Sequence, residues 1–314
     1  MRLRQTRTET ASAIALAFVL AGCSQQRFGN LRSDADVASG PPTAAPALFI
    51  PNSPAVASVK PTDKIEHTTF TPNRDDVKPM PAEPDPQVVE QPLSVLYQRA
   101  AQRYATMDTY IYRLKRREVV AGKKQPEELI RVSVRNEPFS VHLKWLGAEG
   151  KGREVIYVKG KFKNEMQILM APGDLFSSLM PRTTIALDSP LVRDKSRYPI
   201  TETGFGPLIA RFGQLAAAVE KGDTRGGTAK YLGRVARPEF TDKVEAVHQV
   251  LPAGSDPLLP KGGQRWWFFD AQSGLPVLLV THDPSGEVEY YCHDRIISPA
   301  NLGDGDFNPD LWRK

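Results

Sequence analysis

Near the end of the chain Cys292, His293 and Asp294 stand side by side in the run EVEYYCHDRI. Thiol, imidazole and carboxylate are the parts of an activated cysteine nucleophile, and equally of a metal site. The run alternates and is rich in Val, Tyr and Ile, which predicts a β-strand, and successive side chains of a strand point to opposite faces. Tyr290, Cys292 and Asp294 then share one face, while Tyr291, His293 and Arg295 share the other. A nucleophile and its base must approach within ~3 Å, so adjacency in a strand separates these groups. His282, at the end of the preceding strand, is the imidazole a hairpin could bring near. The expected role of Cys292 is a buried thiol in a sheet, and no catalytic residue is assigned.

Metal and cofactor chemistry find no pattern either. His67, His142, His248, His282 and His293 show no H-x-H, H-E-x-x-H or C-x-x-C spacing, and there is neither a G-x-S-x-G nor a phosphate-binding glycine loop. In DGDFNPD, Asp304, Asp306, Asn308 and Asp310 alternate as calcium ligands do, but Pro309 takes the place of the required glycine and the twelfth position is missing. A capped, polar C-terminal segment is the expectation, with no metal and no cofactor.

The elements that must position any site begin at Pro92. Leu93, Leu96, Tyr97, Ala100, Ala101 and Tyr104 recur at helical spacing, predicting an amphipathic helix of ~15 residues with Pro92 in its first turn. About ten strands follow. TYIYRLKRREVV sets Tyr110, Tyr112 and Leu114 against Arg113, Lys115 and Arg117; ELIRVSVR aligns Ile130, Val132 and Val134; FSVHLKWL aligns Phe139, Val141, Leu143 and Trp145. The dense basic run Arg113, Lys115, Arg116, Arg117 reads as a solvated strand edge. From Gly173 to Pro207 the chain is irregular, with Leu175 to Met180 a candidate short helix or lid. Leu208, Phe212, Leu215 and Val219 mark a second helix closed by Gly222. Ala-Gln-Ser-Gly and Asp-Pro-Ser-Gly then join the last three strands as hairpins. The predicted class is α+β, one large curved antiparallel sheet or open half-barrel with helices on its concave side.

The amino terminus speaks to compartment. Arg2, Arg4 and Arg7 precede an apolar run from Ala11 to Ala21 that ends in Leu-Ala-Gly-Cys. A basic start and an apolar stretch of this length make an export signal, and its ending resembles the bacterial lipobox. That resemblance implies a leader over 1–22, an acylated Cys23, and a periplasm-facing envelope protein held to a membrane by its N-terminal lipid. Ser24, rather than Asp, favours the outer membrane. Loss of three arginines and Glu9 with the leader lowers the formal charge from +5 to +3, which gives no reason to expect nucleic acid. Residues 23–91 then read as an extended tether, because 11 of the 27 prolines lie between Ser24 and Pro86 without any hydrophobic period. Only Cys292 remains as a free thiol, so the fold over 92–314 must rest on its core. A monomer is expected.

The runs YIYRLKRREVVAGK, VRNEPFSVHLKWL, GREVIYVKGK, SRYPITETGFGPLI, FFDAQSGLPVLLVTHDPSGEVEYYCHDRI and LGDGDFNPDLW resemble a bacterial envelope family described only as a domain of unknown function. More remotely the chain is similar to the lipoprotein localisation factor superfamily of LolA, LolB, LppX and RseB. That resemblance implies a half-barrel that holds acyl chains or lipidated proteins, lined here by Val132, Val134, Val141, Leu143 and Trp145. An arginine before a proline lies inside the LolA barrel; Arg135 in RNEPF is the nearest match, two residues short of Pro138. No exposed apolar loop tip of the LolB kind is evident. The expected function is therefore non-enzymatic binding of a lipid, an acyl chain or a lipidated protein. The alternative is a structural or protein-interaction module with the same fold and a filled core.

Overall fold

The computed structural model describes residues 91–174 and 177–312. The leader 1–22, Cys23, the tether as far as residue 90, and Leu175 and Phe176 of the candidate lid lie outside the described residues.

Alternation sets the sheet. β1 (Thr109–Val120) is followed by β2 (Lys123–Lys124), β3 (Glu128–Arg135), β4 (Ser140–Trp145), β5 (Glu154–Val158), β6 (Met166–Leu169) and β7 (Arg182–Ile185). After two helices come β8 (Thr228–Val235), β9 (Val244–Leu251), β10 (Gly263–Asp270), β11 (Pro276–Asp283) and β12 (Gly286–Ile297). All pairings are antiparallel, in the order β7-β6-β5-β4-β3-β1-β12-β11-β10-β9-β8, with β2 a short extra partner of β1. The sheet is open, its edges being β7 and β8. Each half is thus a meander, and the two are sewn together where the first strand meets the last. The two strands beyond the expected ten are β2 and β7; β2 has only two residues, and Arg-Thr-Thr-Ile in β7 carries one strong apolar residue, too little to register as alternation.

β1 is central, not an edge. It pairs with β3 on one side and β12 on the other, so the solvated-edge reading of its basic run is corrected. Those cations find acids on neighbouring strands. Arg113 binds Asp294, Lys115 meets Glu127 at 3.2 Å, and Arg117 binds Glu287 at 2.7 Å.

One face of the sheet gathers the large apolar residues. Tyr110, Tyr112, Ile130, Val132, Val134, Val141, Trp145, Tyr157, Trp267 and Phe269 form a single buried cluster with the two long helices. α1 (Leu93–Ala105) contributes Leu93, Leu96 and Ala100. A short turn, α2 (Pro190–Arg193), precedes α3 (Phe205–Glu220), which buries Phe205, Leu208, Ile209, Phe212, Leu215 and Ala216. The expected helix over Leu175–Met180 is absent from its described part, residues 177–180, which form a turn.

The two helices interlock through size complementarity. Tyr97 and Tyr104 of α1 lie over Gly213 and Gly206 of α3, each pair seven residues apart. A Cβ on Gly213 would fall 2.5 Å from the Tyr97 ring, and one on Gly206 2.5 Å from the Tyr104 hydroxyl. Both lie inside van der Waals contact, so glycine here makes the room for tyrosine.

The other, convex face is covered in two places. The β8–β9 loop folds over it with Phe240, and Glu239 accepts from the Tyr290 hydroxyl. Phe307 and Trp312, in the C-terminal 3-10 turns, pack on Ile156 and Val158.

Candidate functional site

The concave face is where the residues expected to line a ligand site converge. Val132, Val134 and Val141 are fully buried there, Trp145 nearly so, and Leu143 packs against the same cluster. They face the protein's own helices. Among the described residues, the cavity bounded by Tyr112, Leu114, Leu208, Leu279, Tyr291 and His293 has a volume of about 90 Å³. Pockets that accept small molecules run to ~300–1,000 Å³, so this cavity is too small for a ligand as it stands.

Arg135 is not part of this lining. It follows Val134 in β3, so strand alternation turns it to the convex face. There its guanidinium bonds Asp304 at 2.7 Å and the Ser140 hydroxyl at 3.1 Å, and lies over the Phe307 ring. It fastens the C-terminal turns, and the expected position inside the barrel is corrected. Asp306 and Asn308 are likewise used locally, accepting the Gly303 and Asp310 N–H groups. Among the described residues no three His, Cys, Asp or Glu side chains come together as a metal set.

Cys292, His293 and Asp294 are distributed as strand alternation requires. Cys292 lies in the convex apolar cluster opposite Leu278, and burial pushes its thiol well above the ordinary range. His282 pairs with Glu287, not Cys292. Asp294 is engaged by Arg113. His293 lies on the concave side between Tyr112 and Phe205, with ring centroids 5.3 and 5.5 Å away. Burial lowers its pKa to about 4, a hydrogen bond to the Val277 carbonyl opposing the shift. It is a neutral core imidazole at neutral pH, remote in chemistry from the thiol.

Beyond His293 the concave face becomes polar, a feature that sequence reasoning missed. Glu118 of β1 and Glu289 of β12 are direct cross-strand partners, and both are buried. Like charges so placed are destabilising unless compensated. Here Arg116 lies 3.9 Å from Glu118, and Arg265 lies 3.7 Å from Glu289 while bonding Thr281 and Asp256. The Tyr291 hydroxyl donates to Glu118, and the Thr281 hydroxyl to Glu289. Burial first, then the neighbouring carboxylates, hold the Tyr291 and Tyr198 hydroxyls well above their usual pKa. These tyrosines are donors, not bases. The signal was present in the alternation itself: continued past Leu114, it turns Arg116 and Glu118 onto the apolar face.

Leu179, Met180 and Leu191, in the connection between β6 and α3, are 80 %, 58 % and 72 % exposed.

An open antiparallel half-barrel whose concave side is occupied by its own helices defines the class, an α+β protein. The chain belongs to the DUF1571 family, described as a protein of unknown function, which matches residues 107–311. No curated protein matches the chain in sequence. Similar solved structures include the lipoprotein LppX of Mycobacterium tuberculosis, 13% identical over 67% of this chain and 98% of that chain, with a TM-score of 0.40. The MucA/MucB complex of Pseudomonas aeruginosa is 13% identical over 69% of this chain and 61% of that one, at 0.39. A LolA superfamily protein of Nitrosomonas europaea is 13% identical over 71% and 99%, at 0.30. Likenesses at this level carry nothing about function.

Proposed function

We propose that this is an envelope lipoprotein, anchored to a membrane through an acylated Cys23, that binds a lipidated protein or a multiply acylated lipid by exchanging it for α3. The observation that carries the reading is the concave face itself, which has an apolar region drawn from both meanders, covered by a helix that supplies the complementary apolar surface. Burial of a large apolar side chain stabilises by ~1.5–3 kcal/mol, so the five large residues of α3 together contribute about 10 kcal/mol. A dozen methylenes at ~0.8 kcal/mol each contribute about the same. One acyl chain therefore matches α3 but cannot also meet the cost of association. Two or three chains exceed it.

A second reading, an interaction module with a permanently filled core, is favoured by the small size of the remaining cavity. The two separate on titration. The full chain in neutral detergent is offered a monoacyl fatty acid and a triacylated lipopeptide. Exchange predicts saturable binding of the lipopeptide alone, with a negative heat-capacity change, and its loss in a folded Leu143→Asp variant. If neither ligand binds and Leu143→Asp simply unfolds the domain, the filled-core reading replaces it. The anchor has its own test: Cys23→Ser should abolish palmitate labelling and membrane retention, whereas an unlabelled mature protein with a different amino terminus would refute it.

A further inference from the structure

A second opening lies on the convex face. The C-terminal turns roof a groove of about 370 Å³ whose floor is Arg131 and Ser133 of β3, His142 and Lys144 of β4, and Glu154 of β5. The roof is fixed by Phe307 and Trp312 on the sheet and by the Arg135–Asp304 pair.

The cross-strand register places cations in a row. Arg113 pairs with Arg131, and Arg131 pairs with Lys144, so all three share a face. The outer two are compensated: Arg113 by Asp294, and Lys144 by Glu154 at 2.7 Å, which also receives His142 at 2.7 Å. Arg131, with a cation on either side, forms no ion pair among the described residues. Like charges directly opposite in a sheet are destabilising, so this arrangement is incomplete without an anion. Ser133, only 4 % exposed, lines the same groove, and the Trp312 indole N–H is buried without an acceptor. Asp306, the one roof carboxylate in the groove, is turned to the Gly303 N–H.

We propose that this groove binds a phosphate group, with Arg131 as its charge partner and Ser133 as a second donor. A guanidinium, a hydroxyl and the neighbouring ammonium of Lys144 offer more N–H and O–H donors than the two oxygens of a carboxylate use. The volume leaves space for a small organic body beside the phosphate. A free phosphate ester and the head group of an anionic phospholipid present the same chemistry. This site is independent of the exchange proposed for the concave face, since neither Arg131 nor Ser133 takes part in that cluster.

The full chain, in neutral-detergent micelles, is titrated with inorganic phosphate, with glycerol 3-phosphate, and with micelles doped with phosphatidylglycerol, and read by tryptophan fluorescence and calorimetry. Saturation by the free esters identifies a soluble ligand, and saturation only by doped micelles identifies a lipid head group; either supports the site. Arg131→Gln should then weaken binding about tenfold or more, as loss of a charge-assisted contact does, and Ser133→Ala less. Arg131 is exposed and lies between two cations, so the unliganded variant should keep or raise its thermal midpoint while losing its stabilisation by phosphate. No saturable response in any arm, unchanged affinity in Arg131→Gln, or acetate competing as well as phosphate would each overturn the proposal.

Discussion

β1 sends arginines to both faces of the sheet, and the two sets live in different worlds. Arg116, on the concave side, lies among Glu118, Glu128 and Tyr291 beneath the helices. Arg117, one residue on, reaches Glu287 and Glu127 on the convex side, where both partners keep contact with water. The chemistry of the pairs is the same; desolvation is not. A buried pair is expensive to form and more expensive to break, because the survivor is left charged and dry. A half-exposed pair is screened and replaceable by solvent. The inner cluster therefore fixes register at the β1–β12 junction, while the outer pairs mainly keep β1 compatible with water.

The sharpest way to break this contrast is at Arg265. Its replacement by Met strands Glu289, and should lower the unfolding free energy by ~3–5 kcal/mol, measured by chemical denaturation. A loss below about 1 kcal/mol, the range of surface pairs, would erase the distinction between the faces.

Acid separates the faces by pH window. His293 is held neutral in the folded state, with a pKa of about 4 against 6.5 unfolded. Between those values the unfolded chain takes up a proton that the folded one refuses, so stability falls as pH drops from 6.5 to 4, by ~3 kcal/mol in all. On the convex side burial pushes Glu154 up, but His142 and Lys144 outweigh it and hold its pKa at about 2. Its contribution is present above pH 4.5 and is lost as pH falls towards 2. Denaturation midpoints across pH should show both slopes, His293→Gln removing the upper and Glu154→Gln the lower.

The helix cover gives a smaller, reciprocal effect. Gly213→Ala places a methyl against the Tyr97 ring and should cost ~1–3 kcal/mol, as overpacking does. The same change in a Tyr97→Ala background should cost far less, giving a coupling energy in a double-mutant cycle. Additive costs would mean that the seat is not tight. Smallest of all, Arg117→Ala should change stability by less than ~1 kcal/mol, with the difference vanishing in high salt.

Much of this fold was legible in the sequence because strand alternation is local. Val132, Val134 and Val141 announced the concave face, and the parity of EVEYYCHDRI placed Cys292 and His293 on opposite sides. Both long helices were visible from their apolar period. Strand order was not, since it depends on pairings between residues far apart. For that reason the basic run of β1 read as an edge, and Arg131 gave no sign that its cross-strand neighbours would be Arg113 and Lys144. The Tyr–Gly seats were hidden too, because a glycine inside a helix signals nothing until the ring that fills its place is known. Arg135 failed for a different reason: a family position was carried across two extra residues, and in a strand the face depends on parity.

The seam between β1 and β12 also governs how the molecule comes into being. Each meander is made of hairpins and short connections, so its contacts are close in sequence and can form as the chain emerges. The seam joins residues such as Arg113 and Asp294, 181 positions apart, and contacts of that span are slow to find one another. Until β12 arrives, β1 is an edge, with its backbone N–H and C=O groups open to pairing with another chain. Newly made protein thus passes through a stage in which its central strand is its stickiest, and that hazard ends only when the last strand closes the seam.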